Sequence, residues 1–306
     1  MRVVVTGTSG FIAGHLARRL VADGHEVTGI DIAEPRRPVE GWRDVRLDLR
    51  DDAGVARVVA EARPEVVFHL AAQASVSVSM REPRLDIETN VIASLVLARA
   101  AAEAGARRFV FTSSGGAMFG APAAVPAGDD TPVEPRSFYG ASKASAEKYL
   151  RIVEWETGMT VASVRPANVY GPHQDPHGEA GVVAIFAERM LRGDAVTIFG
   201  TGDDTRDYVY VDDVVEAQVR AAEAPGGEMC VIGTGVETST RRIFDLLAQH
   251  CGYERPPVMG PPRAGDIRRI ALDASRARAV WEWTPQVSLE EGIARTVEAF
   301  RRAAQG

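Results

Sequence analysis

The chain has 306 residues, 45% of them hydrophobic, with a formal net charge of −7 and a pI near 5.5. That balance argues against a general nucleic-acid or membrane-surface role, and no apolar run reaches membrane-spanning length. Cys230 and Cys251 make neither a disulfide framework nor a zinc signature, so the chain reads as a reduced, cytoplasmic protein with no membrane partner.

Residues 2–6 are a β-branched run, as in a buried parallel strand. The short apolar start is too brief for a signal peptide. A glycine-rich turn spans 7–14, and a helix follows to about Asp23, stopped by Gly24. Strands are expected at 26–31, 45–48, 66–71 and 108–113, with helices at 51–62 and 86–104, the second stopped by Gly105. This alternation predicts a parallel sheet with right-handed crossovers. The proline- and glycine-rich segment 120–135 reads as an active-site loop. It precedes a helix carrying Tyr139, and 160–165 is a further strand. Beyond Pro166 the elements shorten, broken by Pro172, Pro176, Pro225 and Pro256. The expected fold is α/β: a doubly wound parallel sheet of Rossmann type over 1–166, with a return segment near 205–235. A smaller α/β substrate lobe occupies 167–306 and is interleaved with it.

The turn Thr6-Gly-Thr-Ser-Gly10-Phe-Ile-Ala-Gly14 sits between a strand and a helix, the context a dinucleotide diphosphate requires. Gly7 allows the tight bend, Gly10 the close approach of phosphate, and Ala13 close helix packing. Asp31 ends the second strand, where a carboxylate accepts from a ribose diol and repels a 2′-phosphate, favouring NAD over NADP. Arg36 and Arg37 are the counter-signal. Asp48 either meets the adenine amino group or is an exposed turn aspartate.

Tyr139 and Lys143 stand four apart on one helical face. An ammonium beside a phenol favours the phenolate, so Tyr139 can serve as a base. Ser113 and Ser114 end the fifth strand, at the sheet edge where ligands bind; a hydroxyl there can hold a substrate alcohol against Tyr139. His69 reads as a satisfied core histidine. His173 and His177 share a loop with Asp175 and Glu179 but match no metal spacing, so no metal is expected. Arg206 and Arg263 are either phosphate ligands or surface ion-pair residues.

Together these strings resemble the extended short-chain dehydrogenase/reductase family, in its NAD-dependent sugar epimerase and dehydratase branch, over nearly the whole chain. The strings are His69-Leu-Ala-Ala-Gln73, Thr112-Ser-Ser-Gly-Gly-Ala117, Tyr139-Gly-Ala-Ser-Lys143, Arg165-Pro-Ala-Asn168-Val-Tyr-Gly171 and Arg206-Asp-Tyr-Val-Tyr-Val-Asp-Asp213. Residues 178–186 are also typical of the subgroup it is most similar to, the UDP-glucose 4-epimerases.

The resemblance implies that Ser114, Tyr139 and Lys143 are catalytic. It places NAD along Gly7, Gly10, Phe11 and Ile12, then Asp31, Ile32, Asp48 and Leu49. Further along come Leu70, Ala71, Ala72, Gln73, Asn90, Thr112 and Pro166, besides Tyr139 and Lys143. A UDP-sugar is expected against Ser77, Ser114, Tyr139, Asn168, Val183, Thr197, Phe199, Arg206, Arg263, Asp266 and Ile270. The implied reaction is UDP-glucose/UDP-galactose interconversion through a transient 4-keto sugar. The alternatives are a UDP-glucuronate or UDP-N-acetylhexosamine 4-epimerase, a ketosugar reductase, or a silent NAD-binding protein.

Three positions depart from the family pattern: Ala13, Phe119 in place of a tyrosine, and Ile270 in place of the bulkier tyrosine of some hexose epimerases. Gly115-Gly116 stands where dehydratases and a decarboxylase need acids, and Ser77 and loop 172–178 offer no arginine to a uronate. A homodimer is implied through a four-helix contact of helices 86–104 and 141–156.

Overall fold

The structure, a computed structural model, describes residues 1–37, 40–177, 181–262 and 267–304. Its elements begin with β1 (Arg2–Thr6), α1 (Phe11–Ala22), β2 (Glu26–Asp31), β3 (Trp42–Arg46), α2 (Asp52–Ala62), β4 (Val66–His69), α3 (Val76–Arg81) and α4 (Pro83–Ile87). A π-helical turn (Glu88–Ile92) joins α4 to α5 (Ala93–Glu103), followed by β5 (Arg108–Thr112), α6 (Gly115–Met118), α7 (Phe138–Thr157), β6 (Thr160–Pro166) and β7 (Asn168–Tyr170). Then come α8 (Val182–Leu191), β8 (Thr197–Phe199), β9 (Thr205–Arg206), β10 (Tyr208–Tyr210), α9 (Val211–Glu223), β11 (Met229–Ile232) and β12 (Thr238–Ser239). The last are α10 (Thr240–Cys251), β13 (Val258–Gly260), α11 (Ser275–Trp281) and α12 (Leu289–Ala303).

Side chains alternate between the faces of a strand, and both faces of this sheet are covered. Val3 and Val5 therefore join one apolar cluster, with Leu16 of α1, Ala217 of α9 and Trp281. Val4 joins the other, with Val55 of α2, Leu97 of α5 and Leu150 of α7. The main sheet is parallel throughout, in the order β11-β6-β5-β4-β1-β2-β3. This is a doubly wound Rossmann-type sheet. From β1 the chain moves one way to β2 and from β4 the other way to β5, which opens a crevice at their carboxyl ends. A third cluster builds a C-terminal lobe from α8, α10, α12, β8 and β10, around Phe186, Phe244 and Ile293. The two parts interleave: β10 pairs with β7 in a separate ribbon, whereas β11 pairs with β6 at the edge of the main sheet.

The third strand forms at Trp42–Arg46, earlier than the expected 45–48, because β2 selects its register, pairing Val27 with Trp42 and Asp31 with Arg46. It is a mostly exposed edge strand, so the apolar pattern carries little information. The helix expected at 86–104 starts at Pro83 and includes the π turn, and α3 precedes it. The short α6 also lay outside the sequence pattern. The 66–71 strand ends at His69, where the chain turns beneath Gly7.

The buried Arg108 side chain caps the end of α9, donating to the carbonyls of Ala221, Ala224 and Gly226. Arg108→Met keeps the stem but strands those carbonyls. It should lower unfolding free energy by about 2–3 kcal/mol, the scale of charged hydrogen bonds, read as a lower urea midpoint.

Candidate active site

At the carboxyl end of β1 the backbone bends at Gly7, with φ +80°, and a Cβ there would lie 2.8 Å from the Ala71 nitrogen. Only glycine fits this approach. A Cβ on Gly10 would meet the Gly7 oxygen at 2.9 Å. Neither position can fill the space before α1, whose N-terminus carries free amide donors suited to an anion. Asp31 is held in place by two amides: Ser9 N donates to Oδ2 at 2.9 Å and Ala33 N to Oδ1 at 3.0 Å. Beside it Ile32 is 65% exposed, an apolar surface open to a planar ring. These features fit a dinucleotide. Asp48 is salt-bridged to Arg50 at 2.6 Å, and that arginine holds its carboxyl below the usual range. Leu49 is buried in the α2/α5 cluster.

A chain of hydrogen bonds fixes the β4 end. The amides of Leu70 and Ala71 donate to Thr6 Oγ1 at 3.2 and 3.1 Å, which lies 2.7 Å from His69 Nδ1. His69 Nε2 lies 2.8 Å from Ser94 Oγ, and Ser94 donates to the Asn90 carbonyl at 2.7 Å. Since the Ser94 proton is already used, His69 donates through Nε2 and accepts from Thr6. It is thus a neutral core imidazole, held down to about 3 by burial and then by Lys143. Asn90 pins Gln73 both ways, accepting from its amide and donating to its carbonyl, each at 2.9 Å. The π turn carries Asn90, and such turns often present functional side chains. Asp86 lies wholly buried below, accepting from Gln73 Nε2 at 2.9 Å and Asn90 Nδ2 at 3.1 Å. Its second oxygen has no partner among the described residues.

α7 starts at the Ser137 cap, which accepts from Gly140 N. Gly140 is required because a Cβ would meet the Ala117 oxygen at 2.5 Å. The helix carries Tyr139 and Lys143 toward the end of β5. Lys143 Nζ donates to the Thr112 carbonyl at 2.9 Å and lies 6.0 Å from the Tyr139 ring centre. Burial pushes the Lys143 ammonium down from 10.5 to about 8, against Asp86 and Glu147, which raise it.

The acidic phenol expected from the sequence is not found. Burial pushes Tyr139 up to about 12; Ser114 as hydrogen-bond partner lowers it, and Asp86 raises it. Desolvation outweighs the Ser114 hydrogen bond, the one influence that lowers the phenol. Gln218 of α9 donates to Thr112 Oγ1 at 2.8 Å, and the buried Ser113 hydroxyl has no partner among the described residues. Pro166 is buried at the end of β6, and Phe11 and Ile12 start α1 against the C-terminal cluster.

On the substrate side, a Cβ at Gly115 would meet Leu272 Cδ1 at 2.5 Å and the Arg165 oxygen at 2.7 Å. No larger side chain fits there. Gly116 faces Asn168, whose Oδ1 would lie 3.6 Å from such a Cβ. Arg206 donates to the Thr205 carbonyl and has no carboxylate partner among the described residues. Its neighbour Asp207, 1% exposed, accepts from Thr234 N, Thr234 Oγ1, Gly235 N and Leu272 N at 2.7–3.1 Å. Thr197 and the 39%-exposed Phe199 lie on β8. Ser77 is exposed on α3. Val183 is buried in the C-terminal core, and Ile270 packs at 2% exposure with Met118, Phe119 and Leu272. Arg263, Asp266 and residues 178–180 lie outside the described residues. Loop 120–135 is anchored by Asp129, which accepts from Val231 N at 2.9 Å and faces Arg165 at 3.5 Å. Arg165 also forks onto Glu147 at 2.9 and 2.7 Å. His177 approaches Glu188 while His173 turns toward His15, so loop 172–177 gathers no metal donors among the described residues.

Sequence reasoning gave no role to Thr6, Ser94, Asp86, Asp207 or Gln218. Thr6 and Asp207 stood inside recognisable strings; the others become visible through packing.

If Lys143 acts as a cation, turnover should fall as pH rises through about 8, because the ammonium loses its proton there. A kcat–pH profile measured with saturating substrate checks this; a rate unchanged through that pH contradicts it.

Residues 3–233 match the family model described as NAD dependent epimerase/dehydratase family. The UDP-glucose 4-epimerase of Mycolicibacterium smegmatis is 50% identical over 314 residues, covering 100% of both chains. The crystal structure of a Thermotoga maritima UDP-glucose 4-epimerase with UDP-glucose superposes with a TM-score of 0.97 at 44% identity, covering 99% of this chain and 100% of that one. A Thermus thermophilus UDP-glucose 4-epimerase in complex with NAD gives 0.93 at 43% identity, again covering 99% and 100%.

Proposed function

Because the chain belongs to the NAD-dependent epimerase/dehydratase family, we propose that it is a UDP-hexose 4-epimerase, interconverting UDP-glucose and UDP-galactose. The observation that carries this reading is the grouping of Ser114, Tyr139 and Lys143 at the carboxyl end of β5, the sheet edge that also carries the Gly7–Gly10 turn. Next to it Gly115 has no room for a catalytic acid and Gly116 carries none. An acid there is what elimination would need. The UDP-glucose 4-epimerases it is similar to support the substrate.

Tyr139 takes the proton from the sugar O4 and later returns it. Ser114 shares that hydrogen bond and orients the hydroxyl. NAD, when bound, would supply the acceptor and donor of the C4 hydride. Lys143, a cation 6.0 Å from the Tyr139 ring centre, favours the phenolate against the burial that raises the phenol. Arg206, with Arg263, anchors the diphosphate while the keto sugar turns over; Asp207 fixes the strand that presents Arg206. Asn168, Thr197, Phe199, Val183, Ser77, Asp266 and Ile270 complete the sugar–uridine side. Residues 1–166 with 205–235 hold the cofactor, and most of 167–306 holds the nucleotide sugar. An apolar Ile270 favours UDP-glucose over UDP-glucuronate, since an unpaired buried carboxylate costs several kcal/mol.

The purified protein should convert UDP-galactose to UDP-glucose with no added cofactor, and should release NAD on denaturation. A requirement for added NAD(P)H would favour a reductase. Tyr139→Phe should keep the fold and bound NAD yet lose about a hundred- to ten-thousand-fold in kcat; near wild-type turnover would sink the mechanism.

We further propose a cytoplasmic homodimer. Ile87, Ile92, Tyr149, Ile152 and Trp155 are exposed on α4, the π turn and α7, with Trp155 at 77%. Such a patch is larger than scattered surface residues need. Light scattering at micromolar concentration should give twice the monomer mass, and Trp155→Glu should shift it toward the monomer.

A further inference from the structure

Lys143 is buried, donates to the Thr112 carbonyl at 2.9 Å and stands 4.7 Å over the Phe111 ring. Neither neighbour is a carboxylate, and an ammonium withdrawn from water without a counter-charge is costly. We propose that Asp86 is that counter-charge: it keeps Lys143 an ammonium in the assembled site and is a positioning residue for the reaction, acting through the lysine and not on the sugar. This rests on the epimerase reading above and adds a residue to it.

Asp86 is 0% exposed on α4, and both of its hydrogen bonds fall on one oxygen. Gln73 Nε2 donates to Oδ1 at 2.9 Å and Asn90 Nδ2 at 3.1 Å, while buried Oδ2 has no partner among the described residues. Neither donor is a cation, so the negative charge is left over in a water-poor interior, where it is felt beyond hydrogen-bond distance. Of the groups that oppose burial at Lys143, Asp86 acts most strongly, ahead of Glu147.

The other charged groups around the pair are accounted for. Glu147, on α7, is forked onto Arg165 of β6 at 2.9 and 2.7 Å. His69, on β4, is neutral. Arg84 of α4 reaches outward, 91% exposed, and pairs with Glu88 of the π turn at 2.7 Å. Arg81, at the end of α3, is exposed. Asp86 is therefore the buried carboxylate not already matched to an arginine.

Its hydrogen bonds tie the same charge to the helix that bears the dyad. Asn90 Nδ2 also lies 3.3 Å from Ser142 Oγ, and Ser142 donates to the Tyr139 carbonyl at 2.9 Å. Asp86 raises the Tyr139 phenol as well. Removing it thus eases ionisation of the phenol while it discharges the lysine, which is not the uniform loss a damaged fold would give. The sign follows: burial lowers Lys143, Asp86 opposes burial, and without Asp86 the ammonium loses its proton at lower pH. The alkaline fall in kcat then moves to lower pH.

Lys143 and Lys148 are the only lysines in the chain, and Lys148 is exposed, so Lys143 can be read directly. The holoenzyme as purified, carrying 13C at lysine Cε, is titrated by NMR, with Lys148→Arg assigning the two signals. Wild-type Lys143 should titrate near about 8. Asp86→Asn should lower that midpoint by about one pH unit or more, and Glu147→Gln should lower it less. A midpoint lowered by about one unit also makes the ratio of wild-type to Asp86→Asn kcat rise about fivefold between about pH 6 and about pH 8. A merely structural loss lowers kcat equally at both. An unmoved Lys143 in Asp86→Asn, or a larger shift in Glu147→Gln, overturns the proposal. Should Asp86→Asn not fold, Asp86→Glu decides: it keeps the charge, so a wild-type midpoint supports the counter-charge and a lowered one overturns it. A protein without epimerase activity whose Lys143 still responds to Asp86 refutes the function proposed above and leaves the counter-charge standing.

Discussion

The hydroxyl of Thr6 ties together the two strands that part company in this sheet. It receives the amides of Leu70 and Ala71 and lies 2.7 Å from His69. β1 and β4 are therefore held edge to edge at the point where their continuations diverge. The backbone after β4 comes so close to Gly7 that no Cβ fits between them. The crevice for a dinucleotide is what remains above this contact. Because His69 passes the bond on through Ser94 to Asn90, and Asn90 clasps Gln73, the same chain fixes the wall of the site on the α5 side. Such a network is stabilising only when every member is satisfied, and this one holds its imidazole neutral.

The chemistry rests on a conflict between burial and charge. Withdrawing Tyr139 and Lys143 from water favours the neutral form of each, raising the phenol and lowering the ammonium. Asp86, wholly buried and half-satisfied, works on both: it keeps the lysine charged and holds the phenol protonated. Burial therefore favours the protonated phenol at Tyr139 and weakens the charge on Lys143.

On the opposite side of the crevice, position is set by buried carboxylates. Asp207 gathers four donors from two separate segments and so holds β9, β10 and the chain near Leu272 together. Arg165 does the corresponding work for loop 120–135, forking onto Glu147 and facing Asp129. These joints explain why the lobes interleave: β11 belongs to the main sheet while β9 and β10 pair outside it with β12 and β7, and the chain crosses between them within about thirty residues.

Local features determined what the sequence alone could say. β-branched runs announced β1 and β2, glycines with no room for a side chain marked the turn, and a four-residue spacing put Tyr139 and Lys143 on one face of α7. These depend on backbone sterics and on periods of two and 3.6 residues, which any window of the chain displays. The register of β3, the π turn under Asn90, the raised phenol and the burial of Asp86 were decided by tertiary structure. An edge strand takes its register from its neighbour. A pKa follows from how much water the whole fold removes. Gln73, Asp86 and Ser142 come from three separate segments joined through Asn90, so only folding brings them to one place.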